Sequence, residues 1–514
     1  MPKTPSNKLF QLIKSLSGSE KRYFKLFINQ GGGKTNKYVQ LFDAIDAQSE
    51  FDDEALKAVV YAEEPIQSRK YSELKSYLYD SILKSLQFYD EKSSVDFKLK
   101  SMLQSVRVLF KRSLYEDCLD ILQKAKKLAY KYEQYNVIIE ILTWEKDIAY
   151  AKSDIDFLDQ KLKEFEQEEN FCLTQLQLIN TYRNLFLKLL VGLRKNTVRS
   201  EKWAAALNQS IDAIKVDSIE AIKSQRARIL YYRVFAFYYY SNSDNQKFYE
   251  TNRSLVEVME SNKYLLQEDL SEYISTLSNL SMSSGKLGKF DEVLVYLEKF
   301  KKLKPNTFDD ELKIHRQYYT IKFQLCITKG DFEEGLRELK HHLAEVKKFD
   351  ETLFERNSFY FQYFYICYGA EKYDKALEYL NHWLSLPKTV ERQDLQAIAR
   401  ILNLIIHYEI GNHLLLDSLL RSTYRFLNKR NSLHLFERRM VSFIREANKI
   451  QDKRALQRAF EELKEDFDEL QREGTEKAML QIFDFEAWLR SKIERKSFAQ
   501  VVKENYERSM ATTS

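Results

Sequence analysis

Apolar positions recur along this chain on two scales. Locally they fall three and four residues apart, which gathers them on one side of an α-helix. Over a longer range, large apolar residues return at intervals of 41 to 46: Tyr115, Phe157, Trp203, Phe248, Phe290, Phe332 and Tyr373, with Leu414 continuing the series. A period of that length marks stacked helix pairs, because one pair cannot bury its apolar face alone. The register is clearest in three consecutive units. Gly288-Lys289-Phe290-Asp291-Glu292-Val293-Leu294 is followed by Gly330-Asp331-Phe332-Glu333-Glu334-Gly335-Leu336 and then by Glu371-Lys372-Tyr373-Asp374-Lys375-Ala376-Leu377. In each, a small or short apolar residue stands three after the aromatic and a leucine four after it. Leu297, Leu339 and Leu380 follow at seven, on the same helical face. The third position is where a neighbouring helix passes closely, which suits Gly335 and Ala376. Tyr115, Cys118, Leu119 and Leu122 repeat the pattern; the Phe157 and Phe248 units keep it unevenly, and Trp203 fits by spacing.

The turn glycines Gly288 and Gly330, the aromatics Phe290, Phe332 and Tyr373, and the small residues Gly335 and Ala376 resemble the tetratricopeptide-repeat superfamily in its broad sense. The resemblance covers residues 98–450. It departs from the family in its period, 41 to 42 here against about 34, and in its repeat-end prolines, where only Pro305 and Pro387 fit. The resemblance implies an all-α fold, a right-handed α-α superhelical solenoid, that binds a peptide or protein segment on its concave face. The departure implies longer helices.

Residues 1–97 read as a separate, basic helical head. Helices are expected at Asn7 to Leu16, at Ser19 to Ile28 with Ser19 as cap, and after Asn36, where Tyr38, Leu41, Phe42 and Ile45 share a face. Another begins near Phe51, and a last one runs from Ser68 toward Tyr89, packed through Leu74, Leu78, Ile82 and Leu86. Beyond the repeats, residues 451–504 read as capping helices and 505–514 as a flexible tail.

Composition agrees with a helical array: among 514 residues, 12 glycines and 5 prolines leave little material for turns, and 33 tyrosines with 33 phenylalanines suit repeated interfaces. Net charge is +5, yet residues 1–40 carry eight lysines and arginines against Glu20 alone. No signal peptide and no apolar span of membrane length is visible, so a cytoplasmic protein without membrane insertion is expected. Cys118, Cys172, Cys326 and Cys367 show no metal spacing, and Cys326 and Cys367 each stand six residues before their aromatic, one repeated packing position rather than a disulfide. Gln30-Gly31-Gly32-Gly33-Lys34-Thr35 imitates a phosphate loop, but Ile28 stands where its first glycine is needed and no strand precedes it. His341 and His342 are adjacent and point apart, and no catalytic signature is present. No enzyme activity, metal or cofactor is expected.

Two functional readings remain. The favoured one is a non-enzymatic scaffold or adaptor that binds a protein or peptide on the solenoid's concave face. Arg316 with Tyr319, and Arg356 with Tyr360, are its candidate contacts, each tyrosine lying 13 residues before its anchor. The run Tyr231 to Tyr240 is expected to pack between repeats and to offer an aromatic protein contact. The alternative is a nucleic-acid-binding regulator whose head presents Lys21, Arg22, Lys25, Arg69, Lys70 and Lys75 to phosphates.

Overall fold

The computed structural model describes residues 7–29, 37–61, 68–90, 94–194, 208–216, 218–349, 354, 359–385, 393–429, 435–470 and 482–513. Among these residues every regular element is a helix. They form two compact units, Met1–Asn242 with Ser254–Asp269, and Ser243–Arg253 with Leu270–Ser514.

The head opens the first unit with α1 (Lys8–Ser15), α2 (Gly18–Asn29), α3 (Lys37–Ala47), α4 (Asp53–Val60) and α5 (Ser68–Asp90). Their apolar stripes meet in one core that includes Ile13, Phe24, Phe42, Leu56, Leu78 and Ile82. The expected face of α3 is the buried one, through Leu41, Phe42 and Ile45. The cap of α2 is displaced: Ser17, not Ser19, accepts the Glu20 N–H, while the Ser17 N–H donates to the Glu20 carboxylate. That reciprocal box needs a carboxylate three residues on, which Ser17 has and Ser19 lacks.

The same unit continues through α6 (Val95–Phe110), α7 (Tyr115–Lys131), α8 (Tyr135–Ala151) and α9 (Ile155–Arg194), each packed on the next. Helix α9 runs unbroken for 40 residues, about 60 Å, where the sequence period implies a helix pair. The aromatic run lies in α10 (Gln225–Ser241), which packs on α9. Tyr231 meets Tyr182 and Phe237 meets Phe186, with ring centroids 5.7 Å apart in both. Helix α11 (Asn245–Glu260) divides between the units, and α12 (Lys263–Glu268) ends the first.

The second unit is a double layer of alternating helices. One layer holds α13 (Leu270–Lys286), α15 (Phe308–Lys329), α17 (Phe359–Gly369), α19 (Gln393–Ile410) and α21 (Leu435–Ala447). The other holds α14 (Phe290–Lys302), α16 (Phe332–Val346), α18 (Tyr373–Ser385) and α20 (His413–Lys429). In the first layer, called A here, α13, α15, α17 and α19 each pack against the helix that follows in the second layer, B, α21 packs on α19, and α13, α15 and α17 also pack in series. Chains of helix pairs bury one continuous core this way, and the buried residues from Tyr319 to Val502 do form one cluster.

One turn recurs throughout. Ser113, Glu133, Ser153, Ser243, Gly288, Gly330, Glu371 and Gly411 all hold φ between 52° and 75°, and a helix starts two residues after each. In the second unit the residue after this left-handed position donates to a carbonyl five back: Lys289 to Ser284, Asp331 to Cys326, Lys372 to Cys367 and Asn412 to His407, at 2.8 to 3.0 Å. This closure satisfies the carbonyls that a helix end leaves open. It also corrects the register. Phe290, Phe332, Tyr373 and Tyr115 are first helical residues, but the equivalent positions elsewhere are Ile155, Asn245 and His413, not Phe157, Phe248 and Leu414. Leu414 is 94% exposed. Trp203 lies outside the described residues. The third position after each helix start is buried in the clearest repeats, at Cys118, Val293, Gly335, Ala376 and Leu416. A Cβ on Gly335 would stand 3.0 Å from the Ile366 side chain, so α17 crosses where glycine leaves room.

The C-terminal helices return to the middle of the second unit. Helix α22 (Lys453–Leu470) packs on α21, and α23 (Phe485–Glu494) packs on α22, with the Trp488 indole N–H donating to Glu409 at 2.7 Å. Helix α24 (Phe498–Thr513) then lies on α15, where Phe498 meets Phe332 and Tyr368 and Tyr506 meets Phe290. The segment 505–514, expected as a flexible tail, is therefore helical to Thr513. Gly330 makes the seat: it has φ +70° and any Cβ there would come within 2.8 Å of the Lys503 backbone nitrogen.

Candidate protein-binding face

The A layer carries a polar seam. Ser271, Ser278, Lys313, Gln317 and Thr320 recur at helical spacing on α13 and α15, which places them where the two helices run side by side. The Lys313 ammonium donates to the Ser271 hydroxyl at 2.7 Å, the Ser278 hydroxyl to the Gln317 amide at 2.8 Å, and the Gln362 amide of α17 to the Thr320 carbonyl at 3.1 Å. Arg316 lies within one turn of this seam. It is half-buried and makes no ion pair among the described residues. A guanidinium so placed has donors left for an incoming carboxylate or carbonyl.

The other three candidates from the sequence part company with Arg316. Tyr319 is buried between α15 and α16, its hydroxyl toward Glu345 at 3.4 Å and its ring 4.7 Å from those of His315 and His342. It has little surface for a partner, because three residues carry it around the helix from Arg316 into the interlayer core. Tyr360 is half-buried and turned toward α18, stacked on His382 at 5.5 Å. Arg356 lies outside the described residues.

In the head, aspartates answer three of the four candidate lysines. Lys21 pairs with Asp46 at 2.6 Å and Lys25 with Asp43 at 2.7 Å. Lys75 reaches buried Asp53 at 2.9 Å, where Lys57 and the Tyr71 hydroxyl also converge. Burial alone pushes the Asp53 carboxyl up, but the Lys75, Tyr71 and Lys57 contacts together leave it below the usual carboxylate range. Arg69 pairs with Glu73 one helical turn away. Arg22 and Lys70 are exposed and make no ion pair among the described residues. Sequence counting missed this because Asp43, Asp46 and Asp53 stand beyond the basic stretch and come back to it only in the fold.

A buried polar cluster had no sequence signal. His315 and His342, 27 residues apart, meet ring to ring with 3.0 Å between Nε2 of the first and Nδ1 of the second. Glu345 stands 3.3 Å from His315 Nδ1, and the Tyr363 hydroxyl meets His342 Nε2. Burial, then the neighbouring His315, drives the His342 pKa down to about 3, and burial lowers His315 despite Glu345. The thiols of Cys326 and Cys367 are free, buried and pushed up to about 12 by burial, so they are packing groups and not nucleophiles.

Among the described residues, no group of three or more His, Cys, Asp or Glu side chains gathers to hold a metal ion, and no helix is long and apolar enough to cross a membrane. Comparison with protein-family models, curated proteins and solved structures finds no match to this chain.

Proposed function

We propose that this protein is a non-enzymatic scaffold, a right-handed α-α solenoid that holds a peptide or protein segment along the face of its A helices. The observation that carries the reading is the A-layer seam with Arg316 beside it: donors and acceptors in series across three stacked helices, ending in a cation without an ion pair among the described residues. An extended segment laid across such a seam meets amide and hydroxyl groups that can replace its hydrogen bonds to water, while the guanidinium favours an acidic side chain. The repeated turn at Gly288, Gly330, Glu371 and Gly411 supports an array of like units.

The test is retention of partners by the full-length protein and by Arg316→Glu. Charge reversal beside the seam is expected to weaken binding at least about tenfold, the size of one lost charge-assisted contact. Equal retention by both proteins removes the partner from this face.

A further inference from the structure

The cluster of His315, His342, Tyr363 and Glu345 joins two cavities. One of about 360 Å³ is lined by His315 and Glu345. The other, about 170 Å³, is lined by Tyr363 with Glu378, Tyr379 and His382. Between them the hydrogens have one consistent order. The Glu345 carboxylate only accepts, so His315 donates from Nδ1. Its Nε2 must then accept from His342 Nδ1–H, and His342 Nε2 must accept from the Tyr363 hydroxyl. Both imidazoles are neutral in this order, and one surface anion sets the direction of every bond.

We propose that this chain is an acid-sensitive latch between the helix pair α15–α16 and helix α17. A proton enters from the first cavity and binds His315 Nε2, the only basic lone pair that imidazole has left. Two N–H groups then face each other across 3.0 Å. Either the rings part, or His342 moves its hydrogen from Nδ1 to Nε2 and turns the Tyr363 hydroxyl away toward the second cavity. Each route undoes the closed arrangement at Tyr363, which α17 contributes.

The surroundings favour the neutral form. His315 faces Glu311, Tyr318 and Tyr319 on its own helix, Lys301 from α14, and Glu345 and Lys348 from α16 and the turn beyond it. Glu338 acts on Tyr319. Tyr363 faces Tyr360, and Glu378, Tyr379 and His382 of α18. Lys348 and burial oppose a charged His315, and Glu345 alone among its near partners supports one. In the open form both rings regain ordinary basicity near 6.5, so below that value each pH unit raises the open population by up to about tenfold per histidine.

This inference is independent of what the A face binds. The experiment is amide hydrogen exchange on the full-length protein at about pH 7.5, 6.5 and 5.5, corrected for intrinsic rates. Opening in 308–349 and 359–369 is expected to rise at least about tenfold between the last two, with α6 to α8 unchanged. Glu345→Gln removes an anion that favours a charged His315 in the closed form only, so the onset stays near 6.5 and opening at pH 5.5 increases further. His342→Gln leaves His315 as the one titrating ring of the pair and offers it an amide oxygen that can accept from a protonated Nε2, so the rise between pH 6.5 and 5.5 shrinks several-fold. Equal acceleration in both regions, or opening at pH 5.5 that falls in Glu345→Gln, overturns the latch; should His342→Gln unfold, the exposed Glu345 position decides.

Discussion

Glu133 holds the start of a helix that lies 91 residues further on. Its carboxylate accepts from the Ser224 hydroxyl at 2.8 Å and from the N–H groups of Gln225 and Arg226 at 2.9 Å each, which are open donors at the first turn of α10. Glu133→Gln keeps the shape and removes the charge, so urea unfolding is expected to show a loss of about 1–2 kcal/mol. A change within measurement error would mean the carboxylate is replaceable by water. At Ser153 the opposite sign is expected. A serine at φ 56° carries a strain that glycine does not. Ser153→Gly should stabilise by about 0.5–1 kcal/mol in the same assay. Gly330→Val should cost more than about 2 kcal/mol, because it adds a β-branched residue at positive φ and collides with the backbone of α24. No sequence signal announces the last of these, since the glycine reads as a turn residue whether or not a helix returns to sit on it.

At the scale of elements, the head was legible almost helix by helix, because Leu41, Phe42, Ile45, Leu74, Leu78 and Ile82 form clean amphipathic faces. The repeat was legible where an aromatic follows the turn, at Phe290, Phe332 and Tyr373. It slipped at Phe157 and Phe248, because what recurs is a left-handed turn and serine fills it there, and at Leu414, which stands one residue past the helix start that follows Gly411. The Glu133 turn, midway between Ser113 and Ser153, escaped for the same reason. Of the candidate contacts, Arg316 is half-buried beside the seam whereas Tyr319 is buried in the interlayer core: a sequence gives the angular phase of a residue on its helix, but not which neighbouring helix covers that phase. The histidine cluster depends on α15, α16 and α17 meeting, so no spacing encodes it. Helix α24 is the element whose role the fold adds. Val501 is fully buried beneath it, and Val501→Asp should release α24 and lower the unfolding midpoint of the second unit, by about 2 °C for each kcal/mol lost in a unit of about 250 residues. An unchanged midpoint would mean that α24 rests on the array without stabilising it.

For the molecule as a whole, charge bears on acid stability and on the proposed binding of a partner. His342, His315 and His407 are all lowered by burial, so the fold binds their protons less readily than the unfolded chain does. The unfolded chain takes up their protons from about pH 6.5 downward, so stability is complete above about pH 7 and falls by up to about 1.4 kcal/mol per unit and per histidine below 6.5. Between about pH 6.5 and 5 most carboxylates remain ionised, and urea midpoints in that window read the histidines. A flat profile there would place these rings in contact with water. Binding is the more direct test of the proposed scaffold. Full-length protein and Arg316→Glu would be used to retain partners from a lysate, each in nuclease-treated and untreated halves, with protein and nucleic acid quantified in every eluate. A discrete set of proteins that survives nuclease and falls at least about tenfold with Arg316→Glu is the predicted result. Retention that vanishes with nuclease, or is indifferent to Arg316, would contradict a protein-binding A face.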